Sequence, residues 1–266
     1  MSRLDRELVD RGLVNSRSRA AREIAAGRVS INGTTVTKPA HDVADSDDLI
    51  VTEPDPWVAR SAHKLLGALE SFEMTGSLTG LTALDAGAST GGFTQVLLHH
   101  GVTEVWAVDV GHDQLAPSLR TDPRVHVREG LNLRELGASD VPQVDLVVAD
   151  VSFISLRLLL EPLLAATTGE LLLMVKPQFE LARASLDKHG VVTEAKNRRR
   201  ALDSVIAAVA EHDARVIDLA PSPLPGPSGN REYFLRVRPG RTGTDSDRLS
   251  EADIPGHLET LMRGEA

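Results

Sequence analysis

The stretch Leu84–Phe93, LDAGASTGGF, decides the fold. Apolar residues lead to Asp85, three glycines (Gly87, Gly91, Gly92) follow, and FTQVLLHHG then takes up a helical period. A strand that ends in glycines and restarts as a helix is where an open parallel sheet receives a ligand. Working outward, TALDAG, EVWAVDV, RVHVRE, DLVVADV, ELLLMVK, ARVIDLA and EYFLRVR read as seven strands, with amphipathic stretches such as RRALDSVIAAVAEH between them. Continuous apolar strands alternating with helices predict a mostly parallel sheet covered on both faces, an α/β fold. The last two strands are joined by PSPLPGPSGN, which has no helical period, so they are expected as an antiparallel pair at one edge.

The bulk numbers set limits. Of 266 residues, 41% are hydrophobic and 25% charged, ordinary for a soluble globular chain. There is no cysteine, which excludes disulfides, thiolate metal sites and cysteine nucleophiles, and fits a cytoplasmic protein. MSRLDRELVDRG is charged from its third residue, so no signal peptide is expected. The longest apolar region, LRLLLEPLLAA, is broken by Arg157, Glu161 and Pro162, well short of the ~18 apolar residues of a membrane helix. No metal-spaced His/Asp/Glu set is present, and His99 and His100 read as a solvated helix end. Net charge is −9, but residues 1–41 carry eight Lys/Arg against four Asp/Glu, so a basic segment of +4 is joined to a body of −13. Any polyanion must be met by that segment or by a local patch.

The basic segment reads as two short helices and a hairpin. Leu4, Leu8 and Leu13 share one helical face; Ala20, Ile24 and Ala25 share another, with Ser16 as N-cap and Gly27 as C-cap. Val29, Ile31 and Val36 alternate around Asn32-Gly33, a hairpin signal. The run through GRVSINGTTVTKP is similar to the alpha-L RNA-binding motif. That resemblance implies that Arg3, Arg6, Arg17, Arg19, Arg22, Arg28 and Lys38 line a face presented to phosphates; a solvated helical surface is the other reading. The expected domains are residues 1–53, a linker over 54–60, a large α/β domain over 61–240, and a polar, acidic tail from 241 to 266, mobile apart from a short helix near GHLETLM. Trp57 and Val58 read either as a joint between domains or as inert linker.

Near the glycines, two nucleotide motifs fail. Ser89 breaks the dinucleotide spacing after Gly87, and no Gly-Lys-Ser/Thr follows as in a phosphate loop. Asp109 closes the next strand and suits a ribose diol. A glycine loop with a ribose acid and no pyrophosphate cradle resembles an S-adenosylmethionine site; a purely structural turn is the alternative. The candidate cofactor residues are Asp85, Gly87, Ala88, Ser89, Thr90, Gly91, Gly92, Phe93, Asp109, Asn132 and Asp150. Asn132 reads equally as a contact to the adenine ring or as a helix N-cap.

Three more strand ends carry ionisable groups on the same sheet edge: Asp150 after DLVVA, Lys176 after LLLMV, and Glu232 opening the last strand. Lys64 comes from RSAHKLLGALESF, the helix before the first strand. Consecutive carboxyl ends of a parallel sheet converge, and an antiparallel last strand brings its beginning to the same edge. Lys64, Asp150, Lys176 and Glu232 resemble the K-D-K-E set of FtsJ-like ribose 2'-O-methyltransferases. With DVSFISL, KPQFE, GPSGN and the N-terminal module, residues 1–240 resemble the TlyA family of ribosomal RNA methyltransferases, whose members are often labelled haemolysins.

The resemblance implies a Rossmann-like S-adenosylmethionine-dependent methyltransferase sheet of seven strands, the last antiparallel, beside a small α+β RNA-binding domain. It implies ribosomal RNA and ribosomal subunits as partners and cytidine ribose as target; from the residues themselves no membrane and no metal are expected, and the oligomeric state is open, with a monomer favoured. The four side chains are then catalytic. A lysine acts as base only when its pKa falls from about 10.4 towards neutrality, which desolvation and a second ammonium favour and neighbouring carboxylates oppose. Lys176 therefore reads either as base or as a charged group steering an oxyanion; a buried structural ion-pair network is the bland alternative. AKNRRR offers RNA contacts or an exposed helix face, and Phe153 and Phe179 offer stacking or core packing. A non-catalytic ribosome-assembly factor and a pore-forming haemolysin are the competing functions.

Overall fold

The computed structural model describes residues 2–14, 16–53, 55–240, 249–250 and 252–264. The chain forms two compact units, Met1–Pro56 and Trp57–Ala266.

The first unit runs β1 (Ser2–Arg3), α1 (Leu4–Asp10), α2 (Arg17–Ala25), β2 (Val29–Ile31), β3 (Thr34–Thr35), β4 (Asp42–Val43) and β5 (Leu49–Val51). The Ser16 hydroxyl accepts from the Arg19 amide and starts α2. Asn32 and Gly33 take φ of 49° and 79°, the left-handed pair that a tight hairpin between β2 and β3 needs. Leu4, Leu8, Ala20, Ile24, Val29 and Ile31 meet in one core. Two expectations fail here. α1 stops before Gly12, whose φ is 71°, so Leu13 leaves the helical period and is 39% exposed while Val14 turns inward. Ala25, at the end of α2, is exposed.

The second unit runs α3 (Ser61–Ser71), β6 (Thr82–Ala86), α4 (Gly92–His99), β7 (Glu104–Asp109), α5 (Pro117–Arg120), β8 (Val125–Glu129), β9 (Val144–Ala149), α6 (Leu160–Ala165), β10 (Thr167–Val175), α7 (Pro177–Glu180), α8 (Ala195–Glu211), β11 (Ala214–Pro221), β12 (Tyr233–Pro239) and α9 (Ile254–Arg263). Its sheet has the order β11-β12-β10-β9-β6-β7-β8. All neighbours from β10 to β8 are parallel, and β12 is antiparallel to both β10 and β11. The last strand is thus inserted inside the sheet, and β11 forms the edge.

Alternate residues of each strand serve opposite layers. Leu84, Ala86, Val147, Ala149, Leu171 and Leu173 pack with α6, α8 and α9. Ala83, Leu146, Val148, Leu172 and Met174 pack with α3 and α4, and Trp57 and Val58 join that second layer. Of the tail, residues 241–248 lie outside the described residues. Its helix α9 is not free: Ile254 and Leu258 are buried in the layer built by α8.

Candidate active site

Strand order reverses between β6 and β9, where the chain leaves to opposite sides and a crevice must open at the carboxyl ends. Gly87 and Ala88 turn there, donating to the Val108 carbonyl at 2.8 and 3.1 Å. Gly87 has φ of 87°, and an added Cβ would come within 2.9 Å of the Asp150 carbonyl oxygen, so only glycine lets the two strand ends lie this close. A cleft of ≈ 460 Å³ follows, lined by Gly87, Ser89, Asp109, Val110, Gln114, Asn132, Leu133, Asp150, Val151, Ser152, Phe153, Ile154 and Leu159.

Asp109 is fixed by backbone donors, Ser89 N to Oδ2 at 2.8 Å and Gly111 N to Oδ1 at 2.7 Å. The cap reading of Asn132 holds, its Oδ1 accepting from Arg134 N at 3.1 Å at the start of a 3-10 turn, and the residue also lines the cleft. The other glycines serve packing instead. A Cβ at Gly91 would strike Leu119 Cδ1 at 2.3 Å, and one at Gly92 would strike Ser61 Oγ at 2.3 Å. Gly92 therefore admits the start of α3, the helix that carries Lys64. Thr90, Gly91 and Gly92 line neither this cleft nor the one beside it, and Phe93 is buried against Phe234 with ring centroids 6.1 Å apart.

A second cleft of ≈ 290 Å³ adjoins the first and shares Gly87, Ser89, Asp150 and Ser152 with it. It is also lined by Arg60, Ser61, Lys64, Asp85, Ala88, Phe93, Lys176 and Pro227. Strand register explains the convergence. Val175 faces Tyr233 across the β10–β12 pair, so Lys176 and Glu232 leave the ladder at the same level. Gly67, whose Cβ would meet Pro223 Cγ at 2.5 Å, lets α3 close on the loop before β12.

The four side chains form two separate ion pairs. Lys64 Nζ contacts Glu232 Oε2, with the side chains 6% and 1% exposed, and its other contact is Met174 Sδ at 3.8 Å. Lys176 Nζ lies 2.6 Å from Asp150 Oδ1, a charge contact outside hydrogen-bond geometry, and donates to Ser152 Oγ at 2.8 Å. The GPSGN turn crosses Glu232 so closely that a Cβ at Gly226 would meet Oε1 at 2.6 Å.

Beneath them lies Asp85, fully buried. Its Oδ2 accepts from Thr94 N at 2.8 Å and Thr94 Oγ1 at 2.7 Å, while Oδ1 has no partner. Burial pushes this carboxyl up to about 7, against the pull of the Thr94 hydrogen bonds. Asp85, with its unsatisfied oxygen, floors the smaller cleft, Asp109 walls the larger one and Asp150 lines both, so the adjoining pair presents acidic groups to a cationic ligand.

Some roles here are not assigned by the sequence. Gln114, which accepts from Ser89 Oγ at 3.1 Å, is an isolated polar residue without a motif, and Ser152 lies within DVSFISL without a role of its own there. Phe153 is 90% exposed with φ of 66°, in a segment that contains no glycine to announce the turn. Its ring lies 5.2 Å from that of Phe179. Core packing is thereby ruled out for Phe153.

In the first unit the seven expected phosphate-facing residues divide. Arg3, Arg6 and Arg17 have side chains 52%, 69% and 61% exposed, and Lys38 is also exposed. Arg3 and Arg17 meet at Asp5, and the Arg3 hydrogen bond above all holds that carboxyl down at about 2. Arg28 and Arg19 instead flank the buried Glu23 at 2.6 and 3.8 Å, and Arg22 lies 3.8 Å from Asp55. A carboxylate buried beside them draws their charge inward. Of AKNRRR, Arg198 is buried and bonds the Tyr233 hydroxyl, whereas Lys196 is 80% exposed. His99 stacks edge-on with Trp57 at 5.3 Å, and the described residues hold no cluster able to bind a metal.

Residues 57–238 match the FtsJ-like methyltransferase family and residues 2–49 the S4 domain. The 16S/23S rRNA (cytidine-2'-O)-methyltransferase TlyA of Mycobacterium tuberculosis is 47% identical, the match spanning 94% of this chain and 93% of that one. Hemolysin A of Brachyspira hyodysenteriae is 36% identical over 87% of this chain and 98% of its own. A solved structure from Streptococcus thermophilus, provisionally named a hemolysin, superposes with a TM-score of 0.74 at 32% identity, over 99% of this chain and 97% of that one. Among the described residues no helix is long and apolar enough to cross a membrane.

Proposed function

The chain belongs to the TlyA family of FtsJ-like ribosomal RNA methyltransferases, and on that premise we propose that it methylates a cytidine ribose 2'-hydroxyl of ribosomal RNA. It is an S-adenosylmethionine-dependent RNA ribose 2'-O-methyltransferase with an S4 RNA-binding domain. The observation that carries the reading is the pair of adjoining clefts, one suited to a cationic nucleoside cofactor and the other walled by Lys176, Asp150 and Lys64.

The residues fit the cofactor. In the larger cleft Asp109, Ser89 and Gln114 would hold its ribose and Asn132 and Leu133 its base, with its cationic end at Asp150, which both clefts share, and towards Asp85 in the smaller one. When bound, S-adenosylmethionine supplies a methyl group already activated by the sulfonium. The remaining work is to align a ribose oxygen and remove its proton. As the neutral amine, having first given a proton to solvent, Lys176 Nζ would take the ribose proton, placed between Asp150 and Ser152 and facing the smaller cleft. Lys64, neutralised by Glu232, keeps a second cationic edge on the same cleft without adding net charge.

Docking comes from elsewhere. The exposed Arg3, Arg6, Arg17 and Lys38 supply phosphate contacts, so binding falls steeply with salt. Phe153, exposed beside the cleft, offers a stacking face to an unstacked base. A ribosomal substrate implies a cytoplasmic site of action. The test is transfer of label from methyl-tritiated S-adenosylmethionine to purified ribosomal subunits, followed by mass-spectrometric mapping. Label at a cytidine ribose supports the reading; label only on a base, or none, overturns it.

A further inference from the structure

Glu180 is a buried carboxylate that the chemistry above does not use, and it lines neither cleft. It ends α7, the single turn that begins directly after Lys176. Its Oε1 accepts from Leu156 N at 2.7 Å, its Oε2 accepts from Ser155 Oγ at 2.5 Å, and Arg157 Nε lies 3.5 Å from Oε2. All three partners lie at one end of the segment 150–157, which carries Asp150, Ser152 and Phe153.

That segment is held against its own preference. A phenylalanine at φ of 66° is a steric outlier, and this one gains nothing from burial because it is 90% exposed. Such a conformation persists only where the surroundings over-determine it. The observed constraints come largely from one short stretch: Lys176 bonds Ser152, Phe179 meets Phe153, and Glu180 takes Ser155 and Leu156. KPQFE therefore both supplies the lysine and grips the segment that lies against it.

We propose that Glu180 is a positioning residue for methyl transfer: it clamps residues 152–156 so that Ser152 stays under the Lys176 amine and Phe153 stays at the mouth of the cleft. Pulling this clamp frees Phe153 to leave the left-handed region, and Ser152 moves with it. The proposal rests on the methyltransferase reading for its kinetic arm, while its structural arm stands apart from it.

The test compares Glu180→Ala and Glu180→Gln with the unaltered protein, by methyl transfer to ribosomal subunits and by amide hydrogen exchange in the ligand-free protein. Glutamine keeps an oxygen for Leu156 N and can donate to Ser155 Oγ. Glu180→Ala is expected to lose roughly 10²-fold in kcat, as misplacement by about 1 Å can cost, and, because Ser152, Phe153 and Ile154 line the cofactor cleft, to raise KM for S-adenosylmethionine by a smaller factor. Exchange should rise over residues 152–156 and not in β9 or β10, and Glu180→Gln should recover most of both. Unchanged exchange over 152–156 in Glu180→Ala overturns the clamp. So does exchange that rises equally through β9 and β10 with no rescue by glutamine, since Glu180 would then serve stability alone. If the unaltered protein transfers no methyl group, the methyltransferase reading fails, and the exchange pattern still decides the clamp.

Discussion

The two lysines of the site are embedded differently. Lys64 has the more deeply buried partner: its own side chain is 6% exposed, its carboxylate 1%, and its second neighbour is a thioether. Lys176 is tethered: its partner Asp150 is 14% exposed, its directed hydrogen bond goes to the exposed hydroxyl of Ser152, and both neighbours line the two clefts. Both lysines line the smaller cleft, but only the second pair has a carboxylate that lines both clefts. The difference teaches that four ionisable residues on one edge can divide into distinct roles. Lys64–Glu232 ties α3 to the start of β12, and in the proposed reaction Lys176–Asp150 is the pair that meets the ribose.

That contrast can be broken by substituting each lysine in turn. Lys176→Met should lower kcat by about 10²–10⁴-fold, the range for loss of a positioned base, and leave the unfolding midpoint in urea nearly unchanged. Lys64→Met should do the reverse in emphasis. It strands the buried Glu232 charge and should cost about 3–5 kcal/mol in unfolding free energy, most of it restored in the Lys64→Met/Glu232→Gln double variant. Equal stability losses for the two single variants would erase the distinction.

Asp85 sharpens the comparison, being a buried acid with no cation at all. Its carboxyl is raised from 3.8 to about 7, so in the ligand-free protein it opposes folding increasingly as pH rises from 4 to 7, and fully above 7. Asp85→Asn should therefore stabilise the ligand-free protein by up to about 4 kcal/mol at pH 8 and by little at pH 4, while weakening S-adenosylmethionine binding by calorimetry. A gain that is the same at both pH values would contradict the assignment. The smallest effect belongs to Ser152→Ala, which removes one hydrogen bond to Lys176 and should cost roughly tenfold in kcat, with Ser152→Thr closer to the unaltered rate.

Much of this was legible in the sequence because strand ends are cheap to locate. Seven apolar runs gave the sheet, and parallel strands deliver their carboxyl ends to one edge, which brought Asp150 and Lys176 together before any coordinates. Pairing was not legible. Which carboxylate each lysine takes depends on the close approach of α3 allowed by Gly67 and Gly92, and a glycine's neighbours are set by tertiary packing. The same limit applied to Arg19, Arg22 and Arg28, whose composition suggested phosphate but whose neighbours Glu23 and Asp55 are acidic. Phe153 shows the limit most plainly, since a left-handed phenylalanine without glycine nearby has no signature at all.

The central claim is that the free amine of Lys176 takes the ribose proton, and chemical rescue addresses it directly. In Lys176→Ala, added methylamine should restore methyl transfer in proportion to the free-base concentration as pH is varied at constant total amine, whereas Lys64→Ala should gain nothing. Rescue of Lys176→Ala that instead follows the methylammonium ion, or no rescue at all, would contradict the account.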